Sequence, residues 1–415
     1  MIAFDKKELT LIFQRTLLVF FIGYCFIPVL VFNFTNTSNQ QFVYLADSFL
    51  HGQTHFRELP GSYRDLIWQE GKFYWHLGPF PAVLLMPFVI FWGTTFLQGY
   101  VQFFLTLLNF YLLYRIALIL GMKKKIHALW LGFGYIFATM YLPAALLSDS
   151  WRFAQVVATS LLLFAILEYI TKRRFWLIGI VLAFLIATRF HLVLALAFFI
   201  VGILTEKAQW KEKLTASFHL MAPVIVMGVI LLFYNYVRFD DIFETGYRYV
   251  PSGNVRFGLE RHMEIAFQYS GEKLFSLLYL PTNIYYYILQ APSPILLNPQ
   301  SHILIPPYLI VNGQESYGIL ISAPLFLFAL MASTKEKLVR QSWIAAGLIF
   351  MLLLLHYVAN LRYLLDLAPF LFVILVRTLA PTLHFPIKIL MIATLIFYLL
   401  SSSFPSAYPQ FLGIT

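Results

Sequence analysis

Four carboxylates crowd one polar stretch of an otherwise greasy chain: Asp47, Glu58, Asp65 and Glu70, all between positions 33 and 98. A carboxylate set beside a hydroxyl can take its proton, a contribution of about 10²–10⁴ in rate. Asp149 and Arg152 put opposite charges within one helical turn, and Arg189 and Arg362 stand where apolar runs end. Arginine presents a planar fork that matches phosphate oxygens, and it keeps its charge under partial burial. Acids beside arginines at a lipid boundary suit transfer from a lipid-linked phosphorylated donor, whose leaving group needs charge stabilisation more than covalent help.

Each residue also has a plainer reading. Asp47 fits the wet face of an amphipathic helix, and Asp65 fits a loop cap or a partner for Arg64. Asp149 could be a helix N-cap beside Arg152. Arg189 and Arg362 could simply snorkel toward water. Arg238, just before Asp240 and Asp241, reads as one half of a local ion pair.

The elements that must position these groups are membrane helices. The 415 residues are 60% hydrophobic and 12% charged, so a soluble fold could not hide its apolar surface. Apolar runs of about 17–25 residues point to helices rather than a barrel, whose strands would alternate with period two. Hydropathy places spans near 10–32, 100–121, 126–146, 153–171, 174–190, 192–205, 214–234, 318–332, 342–360, 366–380 and 387–403. That is an all-α polytopic membrane protein of about eleven spans.

The apolar run at 80–97 also looks like a span, and charge decides against it. If it does not cross, Lys123, Lys124 and Lys125 fall on the same side as Lys6 and Lys7. So do Lys172, Arg173 and Arg174, then Lys207, Lys211 and Lys213, then Lys335, Lys337 and Arg340. The positive-inside bias demands this arrangement. It makes the N-terminus cytoplasmic and 80–97 an interfacial or re-entrant helix, entered through Gly78-Pro79-Phe80-Pro81. All the chemistry-capable residues then gather on the outer face: 33–98, Asp149 with Arg152, Arg189 with His191, the segment 235–317, and Arg362.

Other features exclude more than they assign. The excess of Lys+Arg over Asp+Glu, 29 against 19, is what basic cytoplasmic loops produce, so nucleic acid is not an expected partner. The single Cys25 rules out an intramolecular disulfide and any cysteine-based metal site. His55, His76, His191 and His262 lack the spacing of zinc ligands. A divalent cation, Mg or Mn, held with Asp149 stays open. Asn33 and Asn36 begin glycosylation-like triplets, which arise often by chance.

Several short motifs, in their order, resemble the GT-C superfamily of polytopic glycosyltransferases. They are Tyr44-Leu45-Ala46 with Phe49-Leu50-His51-Gly52, Gly71-Lys72-Phe73-Tyr74, and Gly78-Pro79-Phe80-Pro81. Asp149, Ala187-Thr188-Arg189, Tyr234-Asn235-Tyr236-Val237-Arg238-Phe239 and Arg362-Tyr363-Leu364-Leu365 follow. The chain looks most similar to bacterial members related to protein mannosyltransferases and to aminoarabinose and lipopolysaccharide-core sugar transferases.

The resemblance implies a polyprenyl-phosphate sugar donor, a glycan, lipid or protein acceptor, and a place in the bacterial plasma membrane. It also implies a catalytic acid in the first outer loop and juxtamembrane helices there. The position that should carry that acid, counted back from Gly52, holds Ser38 and Asn39, neither of which can act as a base. Asp47 or Asp65 then takes the role. Arg152, Arg189 and Arg362 would hold the donor phosphate, with Asp149 as the acid of the second outer loop. Three regions are expected: a transmembrane module at 1–234 that includes the 33–98 loop, an outer segment at 235–317, and C-terminal helices at 318–415. Two rivals are a transporter or flippase for a lipid-linked glycan and a silent member of the fold.

Overall fold

The computed structural model describes residues 6–62, 64–250, 270–271, 273–290, 304–305, 309–310, 318–380 and 383–400. His262 and most of the segment 251–317 lie outside them. The chain is mostly helical. In order come α1 (Lys6–Thr35), α2 (Gln41–Leu50), α3 (Phe80–Trp92), α4 (Gln98–Ile119) and α5 (Lys125–Phe137). Then follow α6 (Tyr141–Leu146), α7 (Ser150–Ile170), α8 (Phe175–Thr188), α9 (Leu196–Leu204) and α10 (Trp210–Phe239). After the partly described segment come α11 (Lys337–Leu355), α12 (Ala368–Leu379) and α13 (Phe385–Leu400).

Among the described residues, five helices are long and apolar enough to cross a membrane: Arg15–Thr35 of α1, then α4, α7, α10 and α11. They fit an integral membrane protein. α10 makes the point most clearly. Only Leu220, Val224, Arg238 and Phe239 of its 30 residues are buried, while Phe218, Val229, Ile230 and Phe233 face outward. Such a surface needs lipid around it.

Three of the expected spans are broken, and prolines explain two of them. The run 126–146 divides into α5 and α6 at Ala138–Met140. Pro143 has no N–H to give, and its ring would collide with the carbonyl of Thr139 in a continuous helix. Thr139 fills the gap, its hydroxyl donating to the Tyr135 carbonyl and accepting from the Tyr141 N–H. The run 318–332 divides at Ala323, before Pro324, into Ile319–Ser322 and the 3₁₀ segment Pro324–Met331. The run 192–205 opens as the 3₁₀ turn Phe190–Ala195 and becomes α-helical only in α9.

One element departs from an all-helical fold near the site. Leu66–Gln69 (β1) pairs antiparallel with Lys72–Trp75 (β2), Leu66 opposite Trp75. Glu70 and Gly71 both take positive φ, 49° and 79°, as a two-residue hairpin turn requires. A short pair, Leu304–Ile305 with Leu309–Ile310, is the second strand pair described.

Contacts sort the helix ends into two groups. At one end, Asn33 near the finish of α1 donates to the Ala145 carbonyl. Gln98, opening α4, donates to the Ser148 carbonyl at 2.6 Å, and Ser150, opening α7, donates to the Asn39 carbonyl at 2.9 Å. Arg238, finishing α10, donates to the carbonyl of Trp75. At the other end, Arg377 of α12 donates to the Leu120 carbonyl and pairs with Glu336. Glu168 pairs with Arg174, Arg173 with Glu206, and Lys213 donates to the Leu204 carbonyl. The clustered lysines and arginines belong to this second, basic end.

α3 begins and ends at the first group. Gly78, just before it, lies so close to α8 that a Cβ would sit 2.1 Å from the Ala187 carbonyl oxygen. Gln98, just after it, is tied to Ser148. With 13 residues, α3 is only about 20 Å long, and the residues on both of its flanks are tied to the first group. Phe80 stacks on Phe184 of α8 at 4.5 Å, and Ile90, Phe91 and Trp92 are exposed. Beneath α2, α3 and the hairpin lies a separate apolar core that joins Phe42, Leu66, Trp75, Leu85, Trp151 and Phe153.

Candidate functional site

Asp149 caps α7. Its Oδ1 accepts from the Arg152 main-chain N–H at 3.0 Å, and its Oδ2 pairs with the Arg152 guanidinium. This holds Arg152 at the start of the helix, where the charges of Arg362 and Arg64 also act on it. One turn on, Gln155 Nε2 donates to the Arg362 carbonyl at 2.9 Å, which fastens the 3₁₀ turn Leu361–Asp366 to α7. Asn360 caps that turn by accepting from the Arg362 N–H. Arg64 lies 6.0 Å from the centre of the Trp151 ring, and Trp151 packs on Trp75 of the hairpin at 5.7 Å. Three guanidinium groups from three segments thus lie within reach of one another, and Asp149 pairs with one of them, Arg152.

Asp65 stands just before β1 with φ at 58°, a left-handed conformation, and is 9% exposed. Its carbonyl lies 3.0 Å from His76 Nδ1. Burial pushes the His76 imidazole down to about 4, although Asp65 works the other way, so the ring is neutral at pH 7. Nδ1 is then the nitrogen that donates. The charge of Arg362 also reaches His76, which places the Asp65–His76 corner beside the arginine group. Tyr247 meets His76 edge-on at 5.0 Å, and burial raises its hydroxyl so that it keeps its proton.

The turn between α8 and α9 supplies the other wall. Arg189 Nη2 and His191 Nε2 both reach Oδ2 of Asp366, at 2.8 and 2.7 Å. The Asp366 side chain is 1% exposed, against 25% for His191. Burial opposes its charge, but Arg189 and His191 outweigh burial and hold the carboxyl below the usual carboxylate range. Arg189 and Arg362 each lie 5.5 Å from the centre of the Tyr363 ring.

The structure therefore brings Asp65, Asp149, Arg152, Arg189 and Arg362 to one end of the bundle and leaves Asp47 apart. Asp47 sits on the partly exposed face of α2, paired with Arg57 at 3.0 Å and near His51 at 3.6 Å. An open groove beside Arg57, lined by Gln53, His55, Phe56, Gly71 and Lys72, belongs to that outer surface and not to the arginine group.

Arg238 corrects the sequence reading. It turns inward to the Trp75 carbonyl and Asn235 Oδ1, with Tyr234 at 4.1 Å, while Asp240 caps α10 in a left-handed conformation. Oxygen acceptors and two ring faces replace the local acids as its partners. Among the described residues no three His, Cys, Asp or Glu side chains gather to hold a metal. Both Asp149 oxygens face Arg152, so these residues do not fit the divalent cation considered from the sequence. Sequence reasoning missed Asp366, Gln155 and Tyr247. Asp366 carried a signal, as an acid four residues after Arg362 at the edge of an apolar run.

No family model and no curated protein matches the chain. Among solved structures it is similar to the oligosaccharyltransferase of Archaeoglobus fulgidus in its apo form, at 14% identity and a TM-score of 0.45. That match covers 82% of this chain and 46% of the other. A second structure of the same enzyme, tethered to an acceptor peptide containing the NVT sequon, gives 15% identity and 0.46, covering 89% and 50%. The chain spans about half the length of the solved structures it matches.

Proposed function

We propose that this chain is a membrane glycosyltransferase of the GT-C kind. It moves a sugar from a polyprenyl-phosphate donor to an acceptor hydroxyl on the outer face of the membrane. The observation that carries this reading is the meeting of Asp65, the Asp149–Arg152 pair, Arg362 and Arg189 at the end of the bundle opposite the basic loops. Positive-inside logic puts that end outside. α3 then lies along the outer interface with Phe91 and Trp92 in lipid, and the donor enters laterally between helices.

In the proposed reaction Arg152, Arg362 and Arg64 hold the donor phosphate and stabilise the charge that grows on it. Asp65 takes the proton of the acceptor hydroxyl. The acceptor oxygen bonds to the anomeric carbon as the bond from that carbon to the phosphate oxygen breaks. The lipid phosphate leaves with the electron pair, and the product is inverted. Asp65 is favoured over Asp47 because it stands at the His76 corner within reach of the Arg362 charge, whereas Asp47 lies on the partly exposed face of α2 away from the arginine group.

A transporter would want ionisable groups near mid-bilayer. Glu168 and Arg377 are instead paired at the basic end, and the bundle middle holds a neutral bond from Asn109 to the Tyr141 hydroxyl at 2.6 Å. The test is a transfer assay with purified protein and radiolabelled polyprenyl-phosphate hexoses. Asp65→Asn should lower turnover by about a hundredfold or more, the low end for loss of a general base. Full activity in Asp65→Asn, Asp47→Asn and Asp149→Asn alike would end the mechanism.

A further inference from the structure

The Arg189–Asp366–His191 group contains donors that the fold leaves unfinished. Asp366 offsets the charge of Arg189 through Nη2, yet Arg189 Nε is buried and has no hydrogen-bond partner among the described residues. A buried N–H without an acceptor is costly, which makes such a group a pointer to a missing one. His191 uses Nε2 on Asp366, and no partner is described for its other ring nitrogen. The carboxylate is sealed while the imidazole edge is not: the side chains are 1% and 25% exposed. Asp366 therefore orients the ring through Nε2 from its sealed side, and Arg189, on the same acid, lies 5.5 Å from the centre of the Tyr363 ring.

We infer that His191, oriented by Asp366, is a further ligand of the donor phosphate, giving a phosphate oxygen an N–H from Nδ1 when protonated while Arg189 Nε gives another. The inference rests on the glycosyl-transfer reading and adds His191 to an anion site in which the resemblance already places Arg152, Arg189 and Arg362. The titratable and charged groups facing His191 are Asp366, Arg189 and His356, with Tyr363, Tyr247 and Tyr287 close to the same acid. Burial pushes His356 down to about 4, and its Nδ1 lies 2.9 Å from the Val358 carbonyl, so it is neutral at pH 7.

The experiment measures binding of a short-chain prenyl methyl phosphodiester to the full chain in detergent. This probe has one negative charge that does not titrate over about pH 5 to 9, the window in which histidine changes charge. Wild type should bind more weakly as pH rises across that window, by about tenfold, as loss of one charge-assisted hydrogen bond gives. His191→Gln should show the weaker binding at every pH, and His191→Arg should keep strong binding with no pH dependence. Identical affinity and pH dependence in wild type and His191→Gln would overturn the inference while Arg362→Ala still weakens binding. If the probe fails to bind wild type at all, the transferase reading falls together with it.

Discussion

Arg189 and Asp366 stand 177 positions apart and meet through Nη2 and Oδ2 at 2.8 Å. Both side chains are nearly sealed from solvent, at 7% and 1% exposure. The contact joins the end of α8 to the start of α12, and His191 shares the same oxygen.

Removing one partner of such a pair strands the other as a buried charge, so Asp366→Asn or Arg189→Met should destabilise the protein by about 3–5 kcal/mol. The melting temperature of the purified protein in detergent reads this. The double variant Arg189→Met with Asp366→Leu should recover much of the loss, because an apolar pair leaves no charge behind.

Arg362 and Asp47 should separate in kinetics. Arg362→Ala removes a guanidinium from the arginine group and should raise the donor KM by tenfold or more, the factor that about 1.4 kcal/mol represents. Asp47→Asn weakens the partly exposed contacts with Arg57 and His51, and such pairs contribute little. Its kcat and KM should stay within about threefold of wild type, since an exposed pair typically contributes under 1 kcal/mol.

His76 and His356 make stability depend on pH. Burial pushes both imidazoles from 6.5 down to about 4. Between those values the unfolded chain binds more protons than the folded one, so stability falls as pH drops from 6.5 toward 4. Each ring should contribute on the order of 1–3 kcal/mol to that fall. Melting curves from neutral to acid pH should therefore slope less in His76→Gln than in wild type, and least in a variant that also carries His356→Gln.

The lie of α3 can be measured directly. In a Cys25→Ser background, spin labels at Ile90→Cys and Trp92→Cys should report shallow burial, about 5–10 Å below the headgroups, as for a helix lying in the interface. A depth at the bilayer centre would place α3 across the membrane and remove the outer site.

Much of this arrangement could be read from residue order alone. Hydropathy and the lysine clusters sort the helix ends, because lipid and membrane polarity act on composition. The Pro143 and Pro324 breaks were legible too, had the prolines been weighed against the apolar runs. The hairpin was available in Leu66-Ile67-Trp68-Gln69 and Lys72-Phe73-Tyr74-Trp75 around Glu70-Gly71. Arg238 misled because its true acceptor, the Trp75 carbonyl, is a main-chain atom 163 positions away, while two acids stand next to it in sequence. Asp366 was passed over for a similar reason. Nothing local marks a carboxylate as the meeting point of Arg189 and His191, since that choice is made by how α8, α11 and α12 pack.

Gly78 fixes where α3 leaves α8. The turn into α3 passes the end of α8 at a point where main chain rests on main chain, with no room for even a methyl group. The approach of α3 to α8 is thus set by peptide geometry at Gly78, with the Phe80–Phe184 stack beside it. A single added carbon at Gly78 would act as a wedge there, prising the start of α3 from the end of α8 without touching any charged group.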